Sequence, residues 1–312
     1  MRGHDERRFS LPPLSPRWIL LGEVVVALGA GVWLAGQPGW DWGRAVLVLS
    51  VLLLWVRLAY VALGFALAGV YPGARATPAL GWRAGAGLYW REWWAFVRLY
   101  SFIQPLVGAG VIGLKRKAGL PGARVVILVH GYTCNEGAWW WWSPYLQRRG
   151  FHVETLTLEP MFGDIEGYVG LLGERVAVHR TRGDARVCLV GHSMGGLVIR
   201  AYLSRYGWDG IDRAVSLGTP HQGSRLARFA PGVNASQMVC DSSWLAHLAG
   251  ETPPPSGRAL AVWSLHDNFV YPQGEQAWPG ARAETVEGLG HLEMLVSRLL
   301  MERVARWLAD GR

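Results

Sequence analysis

The residues with the clearest chemical potential lie in the segment Gly191-His192-Ser193-Met194-Gly195, which fits the pattern Gly-x-Ser-x-Gly. The segment follows the apolar run Val187–Val190 and precedes a helix-like stretch, Leu197–Arg205. A strand, a tight turn and a helix in this order expose a serine hydroxyl above the edge of a sheet. The pattern therefore predicts that Ser193 is a nucleophile, and a glycine-rich turn with an inactive serine is the alternative.

A serine hydroxyl needs a base to take its proton and a carboxylate to orient that base. Among the nine histidines, His291 is placed best, on a loop between the last predicted strand and the last predicted helix. His221 and His266 lie near strand ends and remain alternatives. Asp267 follows a predicted strand and is the expected acid, although an aspartate there is also an ordinary turn residue. The carboxylates placed less well are Glu251, Glu284 and Glu287.

The chain order Ser193, Asp267, His291 is the order of the α/β-hydrolase triad. The segment 191–198 resembles the nucleophile turn of bacterial lipases and related esterases, and 217–224 is similar to their Gly-Thr-Pro-His-x-Gly-Ser stretch. The resemblance covers residues 124–308, about 60% of the chain. It implies an α/β-hydrolase fold and a serine esterase or lipase.

The tetrahedral intermediate of ester cleavage needs two preorganised N–H donors. The backbone N–H of Met194 is one candidate, because this residue follows the serine at a helix N-terminus. His130-Gly131-Tyr132 resembles the His-Gly-x turn of the same lipases, which implies that the backbone N–H of Tyr132 is the second donor. Neither a metal ion nor an organic cofactor is expected, and the three cysteines have no metal-binding spacing.

The elements that must position these residues begin at Arg124. Short apolar runs predict strands, and longer stretches with helical periodicity predict the helices between them. The predicted strands are Val125–Val129, Phe151–Leu158, Val187–Val190, Ala214–Leu217, Ala259–Trp263 and Ala283–Val286. The predicted helices are Ile165–Arg180, Leu197–Arg205 and Leu292–Leu308. This alternation predicts a mostly parallel sheet with helices on both faces.

Two further segments concern the substrate. The connection at about 221–258 is far longer than usual and lies above the carboxyl edge of the sheet, which predicts a lid. Four consecutive tryptophans, Trp139–Trp142, cannot all be buried by one face of a helix or strand. We expect some of them to face lipid or an acyl chain, and an apolar mouth favours acyl esters over sugars or peptides.

The N-terminal part of the chain contains two apolar stretches, residues 18–36 and 45–70, each with a single charge, Glu23 or Arg57. Each is long enough to cross a hydrocarbon core about 30 Å thick, which predicts a transmembrane helical hairpin. A cleavable signal peptide and two buried core helices are the alternatives. Because Glu23 and Arg57 lie at matching depths below the connecting loop, we expect them to form an ion pair.

Arginines near the span ends set the expected orientation. Four precede the first span, three follow the second, and only Arg44 lies between the spans. Both termini and the catalytic domain should therefore be cytoplasmic, on a multi-pass protein of the inner membrane. The following region interleaves tryptophan with arginine, which predicts a helix among lipid headgroups, and packing on the catalytic domain is the alternative.

The predicted organisation is a cytoplasmic segment at 1–17, two transmembrane helices at 18–70, an interfacial region at 71–112 and the α/β-hydrolase domain at 113–312. The predicted function is a membrane-anchored serine hydrolase of lipid metabolism that cleaves acyl esters through an acyl-enzyme. An acyltransferase or thioesterase with the same triad, and a non-catalytic module that binds lipid or a partner, are the alternatives. The expected partners are the acyl ester or lipid substrate and the bilayer. Nucleic acid is not expected, because the arginines behind the net charge of +8 flank apolar spans.

Overall fold

The structure is a computed structural model that describes residues 16–71, 77–108, 110–111, 113–114, 124–181, 186–250 and 253–310. Three of the four arginines that precede the first apolar stretch, Arg2, Arg7 and Arg8, lie outside the described residues. The same holds for Arg75, one of the three that follow the second stretch, and for Glu251. The described chain begins with helices α1 (Pro16–Ala35) and α2 (Trp42–Val70), which pack against each other as a hairpin. Both helices are long and apolar enough to cross a membrane, and most of their apolar side chains are exposed.

The expected ion pair in the hairpin is confirmed. The guanidinium of Arg57 contacts the carboxylate of Glu23, and its Nε donates to the hydroxyl of Ser101 at 3.0 Å. Arg57 is buried, so its charge is compensated inside the protein rather than left in an apolar environment. The pair lies where the hairpin meets the helices that follow it.

These helices connect the hairpin to the rest of the fold. Helix α3 (Trp82–Val97) continues through a π-helical turn, Arg98–Ile103, into the short helix α4 (Gln104–Gly108). One face of α3 is buried at Ala95 and belongs to the same apolar core as the sheet. The opposite face exposes tryptophan side chains, and the hydroxyl of Tyr89 donates to the carbonyl of Leu58 in α2 at 2.7 Å. Helix α3 therefore contacts both the hairpin and the sheet.

Within the described residues, the sheet has six strands, all parallel, in the order β2-β1-β3-β4-β5-β6. Their bounds are β1 (Val125–Val129), β2 (His152–Leu156), β3 (Val187–His192), β4 (Ile211–Leu217), β5 (Ala259–Ser264) and β6 (Arg282–Val286). All six predicted strands are confirmed, with shifts of a few residues at their ends. In β1, alternate residues enter two different apolar cores, one on each face of the sheet.

Helices cover both faces, as predicted. Helices α6 (Ile165–Thr181) and α7 (Met194–Tyr206) lie on one face, and α5 (Trp142–Arg148) and α10 (Arg298–Ala309) lie on the other. The last helix begins later than predicted, at Arg298, and Ser297 caps it by accepting from the N–H of Leu300. A 3-10 turn, Glu293–Leu295, occupies the start of the predicted helix, because the backbone N–H groups of Leu292 and Glu293 donate to a side chain from α3.

The long connection between β4 and β5 contains a 3-10 turn, Arg225–Phe229, and helices α8 (Val233–Gln237) and α9 (Ser243–Ala249). It reaches over the loop after β1, where the hydroxyl of Tyr132 donates to the carbonyl of Pro231 at 2.5 Å. Phe229 is 73% exposed, although an apolar side chain of this size is normally covered. The connection therefore presents apolar surface at the carboxyl edge of the sheet.

The four consecutive tryptophans divide between the interior and the surface, as their number requires. Trp139 and Trp142 are fully buried and pack edge to face, with ring centroids 5.8 Å apart. Trp140 and Trp141 are half-buried. The guanidinium of Arg98 lies over the Trp141 ring, 5.2 Å from its centroid.

Candidate active site

Ser193 occupies a strained turn between β3 and α7. Its φ of 55° and ψ of −126° lie in a region that residues other than glycine rarely adopt. The turn is fixed by a hydrogen bond from the Ser193 N–H to the carbonyl of Leu217 at 2.8 Å. A Cβ on Gly191 would lie 2.5 Å from the backbone of Gly195, and side chains on Gly195 or Gly196 would overlap neighbouring atoms. The glycines of the motif are therefore required by the close approach of the helix to the strand.

Asp267 and His291 form a buried pair at the same edge of the sheet. The Asp267 Oδ2 atom lies 2.8 Å from His291 Nδ1, and its Oδ1 accepts from the N–H groups of Phe269 and Val270 at 2.8 and 2.7 Å. The backbone N–H of His291 donates to Asn268 Oδ1 at 3.1 Å. Both partners of the pair are thus oriented by the two loops that follow β5 and β6.

The environment favours the protonated form of His291. Burial alone lowers the pKa of an imidazole, but the charge and hydrogen bond of Asp267 act in the opposite direction, and so does the charge of Glu92. The net effect raises the pKa of His291 above its ordinary value of 6.5. An imidazole held in this way can act as a general base and then as a general acid.

The serine turn adjoins this pair. The ring of His192 lies 4.6 Å from the ring of His291, and its Nε2 is 3.1 Å from the His291 carbonyl oxygen. A Cβ on Gly218 would lie 3.4 Å from both Asp267 Oδ2 and His291 Nδ1. Gly218 directly follows the residue that binds the Ser193 N–H. The structure therefore brings the three predicted catalytic residues to one region of the carboxyl edge.

The predicted oxyanion turn lies against the serine. A Cβ on Gly131 would be 2.9 Å from the Cβ of Ser193. Tyr132, the next residue, therefore lies beside the turn that carries Ser193. Met194 is buried at the first position of α7. His130 holds the turn: its Nε2 accepts from the N–H of Leu158 at 3.0 Å, so its Nδ1 carries the proton, 2.9 Å from the Gly131 carbonyl oxygen. Burial lowers the pKa of His130 to about 4, which keeps this support neutral.

The alternative bases have other partners. His221 Nε2 lies 2.8 Å from the hydroxyl of Ser216, and its ring stacks on Trp278. His266 lies 2.9 Å from the carbonyl of Pro78 through Nε2 and accepts from a backbone N–H through Nδ1. These contacts give both side chains roles in packing the loops.

The alternative acids are also occupied or exposed. Glu284 pairs with Arg282 at 3.0 Å and with Arg303 at 3.4 Å. Glu287 is exposed, and Glu251 lies outside the described residues. Among the residues that the structure describes, no three His, Cys, Asp or Glu side chains are grouped so that they could hold a metal ion.

Two residues at the site come from helices that precede the sheet, and the sequence interpretation did not include them. Tyr60 of α2 lies 5.7 Å from the ring of Phe269, which lies 5.5 Å from the ring of His291. Glu92 of α3 is fully buried and accepts hydrogen bonds from the backbone just after His291. For Glu92, the signal available in the sequence was an acidic residue inside a helix otherwise rich in tryptophan.

A parallel sheet with helices on both faces, a serine at a strand-to-helix turn and an Asp–His pair at the same edge are the features of the α/β-hydrolase fold. The chain has this fold, as the resemblance noted in the sequence implies. Residues 125–268 match the model of the family described as palmitoyl protein thioesterase.

Similar solved structures include lipases and an esterase. The mature Bacillus licheniformis lipase BlEst2 has a TM-score of 0.53 at 15% identity, over 62% of this chain and 95% of that one. Aspergillus fumigatus lipase B has a TM-score of 0.53 at 17% identity, over 60% of this chain and 52% of that one. A metagenomic carboxyl esterase has a TM-score of 0.50 at 15% identity, over 64% and 81% of the two chains. At these identities the similarity establishes the shared fold.

Proposed function

We propose that the protein is a membrane-anchored serine hydrolase that cleaves acyl esters through an acyl-enzyme. The observation that carries the proposal is the 2.8 Å contact of Asp267 with His291 beside the strained turn of Ser193. Carboxylate, imidazole and hydroxyl are the groups that a serine nucleophile needs. The glycines around Ser193 leave the backbone close enough to present the hydroxyl at the edge of the sheet.

In the proposed reaction, His291 takes the proton from Ser193 Oγ as this oxygen attacks the ester carbonyl carbon. Asp267 keeps the imidazole oriented and stabilises the imidazolium that forms. The backbone N–H groups of Tyr132 and Met194 stabilise the oxyanion. His291 then gives the proton to the leaving alcohol, and water, activated by the same imidazole, releases the acid and restores the serine.

We propose that the substrate is an acyl ester that resides in a lipid bilayer. Helix α2, one of the two apolar helices, lies directly on the loop that carries the acid: a Cβ on Gly64 would be 3.0 Å from the carbonyl oxygen of Asn268. The aromatic contacts of Tyr60 with Phe269, and of Phe269 with His291, extend this apolar surface to the base. An ester would thus meet apolar surface on its way from lipid to the serine.

The proposed arrangement in the membrane has α1 and α2 crossing the bilayer, with both termini and the hydrolase domain on the cytoplasmic side. The flanking arginines support this orientation. On α3, the guanidinium of Arg83 lies 5.2 Å from the centroid of the exposed Trp82 ring. The guanidinium of Arg98, in the π-helical turn that follows, lies 5.8 Å from the centroid of the Trp94 ring. Such arginine–tryptophan pairs suit the headgroup region. The connection at 221–258 would cover the site as a lid.

A thioester substrate is the second candidate, and the match of residues 125–268 to the palmitoyl protein thioesterase family favours it. The same triad can attack a thioester carbonyl, with a thiol instead of an alcohol as the leaving group. A comparison of matched oxygen esters and thioesters over a series of acyl chain lengths separates the two. A higher kcat/KM for long-chain thioesters would favour the thioesterase.

The test of the proposed function uses the full chain in lipid nanodiscs, a p-nitrophenyl ester and a fluorophosphonate probe. Ser193→Ala should lose probe labelling and reduce kcat by at least about 10³-fold. Ser204→Ala, near the C-terminal end of α7, is the matched control and should keep the probe labelling and the kcat of the wild type. Wild-type turnover by Ser193→Ala would exclude the proposed nucleophile.

A further inference from the structure

The loop that carries His291 is held by two neighbouring residues of α3. Arg91 donates from Nη2 to the carbonyl of Gly288 at 2.8 Å, and its Nε lies 2.6 Å from the carboxylate of Glu293. The other oxygen of Glu293 accepts from the N–H of Gly290 at 3.3 Å. These contacts fix the loop on both sides of the histidine from a helix that precedes the sheet.

Glu92 makes the central contact. It is fully buried, its Oε1 accepts from the N–H of Leu292 at 3.0 Å, and its Oε2 accepts from the N–H of Glu293 at 2.8 Å. Gly290 lies so close to this carboxylate that a Cβ at that position would overlap it. The backbone on both sides of His291 is therefore shaped around the Glu92 side chain.

The charges around Glu92 connect it to the reaction. Burial raises the pKa of Glu92 to about 7, whereas the two backbone hydrogen bonds and a positive charge on His291 act in the opposite direction. The other charged groups that face it are Asp267, which disfavours a second negative charge, and Glu293, which is neutralised by Arg91. A buried carboxylate and an imidazolium at this site stabilise each other.

We propose that Glu92 is a positioning residue of the active site, which holds the His291 loop through two backbone amides and stabilises the imidazolium with its negative charge. The inference rests on the proposed function, because it assigns His291 as the base. Tyr89, on the same helix, donates to the Leu58 carbonyl of α2, so the helix that carries Glu92 also contacts the apolar hairpin.

A purely structural role is the competing explanation, because a carboxylate at this position also caps the 3-10 turn Glu293–Leu295. Glu92→Gln separates the two: it keeps the size and one acceptor oxygen but removes the charge. Loss of the charge should lower the pKa of His291, so the acid limb of the kcat/KM profile should move to lower pH. At saturating substrate, kcat should fall with KM unchanged, because a base with a lower pKa accepts the serine proton less readily and the imidazolium is stabilised less.

Glu92→Asp provides the conservative comparison. Its shorter side chain keeps the charge but cannot reach both amides, so kcat should fall while the acid limb stays near that of the wild type. Glu302→Gln on α10, where Glu302 pairs with the exposed Arg298, is the matched control and should change neither kcat nor the acid limb of the pH profile.

An acid limb of Glu92→Gln that coincides with the wild type would overturn the inference, whether or not the melting temperature falls. If Glu92→Gln does not fold, Glu92→Asp decides, and a wild-type kcat for that variant would equally overturn it. Ser193→Ala is measured in the same preparation. If it remains active, the proposed function fails. If it is inactive while the Glu92 variants behave as wild type, only the role of Glu92 fails.

Discussion

Asp267→Asn tests the proposed triad at the residue whose geometry is most completely defined. In the wild type, Oδ1 of Asp267 accepts from two backbone N–H groups, while Oδ2 faces His291 Nδ1. An asparagine will keep its oxygen on the two backbone N–H groups, because the amide nitrogen cannot accept from them. Its NH₂ group must then face His291 and donate to Nδ1.

This arrangement forces the imidazole into the wrong tautomer. With Nδ1 as the acceptor, the ring proton sits on Nε2, the nitrogen that should receive the proton of Ser193. We expect kcat to fall by about 10⁴-fold, as for the equivalent change in a serine protease triad. This loss corresponds to about 5 kcal/mol of transition-state stabilisation. The backbone hydrogen bonds survive, so the protein should still fold and insert.

Asp267→Asn should also change how the stability of the protein depends on pH. The raised pKa of His291 means that proton uptake stabilises the folded state below about pH 6.5, and that this contribution is lost as the pH rises through the folded pKa. Asp267→Asn removes the main cause of the raised pKa. The difference in melting temperature between wild type and variant should therefore be larger at about pH 5.5 than at about pH 8.5.

The assay is p-nitrophenyl ester hydrolysis by the full chain in nanodiscs, with melting temperatures from the same samples. Asp209→Asn, an exposed aspartate paired with Arg180, is the matched control and should leave kcat unchanged. An Asp267→Asn enzyme within tenfold of wild-type kcat would refute the reasoning, because the imidazole would then need no orienting acceptor.

Three further results are expected. Gly195→Ala should lose about 1–3 kcal/mol of stability, together with fluorophosphonate labelling, because the methyl group would overlap the carbonyl oxygen of Val129. Gly170→Ala, with open space around its Cβ inside α6, is the control: it should keep labelling and gain up to about 1 kcal/mol, because alanine is the better helix former. Glu23→Leu or Arg57→Leu alone should impair insertion more than the double change, as measured by membrane fractionation, and equal effects would refute the need for charge compensation. A reporter active only in the periplasm should be silent when fused to the C-terminus, and activity there would reverse the proposed orientation.

Much of the fold could be predicted because its signals are local. Each strand is a short apolar run between turn residues. The turn around Ser193 is marked in the sequence by glycines, at which an added Cβ would overlap the backbone or neighbouring side chains. The depth of Glu23 and Arg57 follows from counting residues along two helices joined by a short loop. In the strands and the hairpin these signals lie close together in sequence or follow a regular repeat. In the serine turn only the motif is local, because the atoms that exclude side chains on Gly195 and Gly196 include those of Val129 and Thr219.

The start of the last helix could not be predicted in this way. The apolar periodicity continues back to Leu292, but the helix begins only at Arg298. The first N–H groups of the predicted helix are bound by Glu92, 200 residues earlier in the chain. Periodicity reports which face of a segment is apolar and contains no information about a distant acceptor for its backbone.

The sequence by itself determined the positions of the strands along the chain, the serine turn, the apolar hairpin and the candidate triad. Only the tertiary structure decided that Asp267 contacts His291, that α3 holds the loop of the base and that α2 lies on the loop of the acid. These contacts join backbone amides, carbonyls and glycines to side chains far away in the chain. Such groups have no distinctive residue type, so their partners become known only when packing brings the elements together.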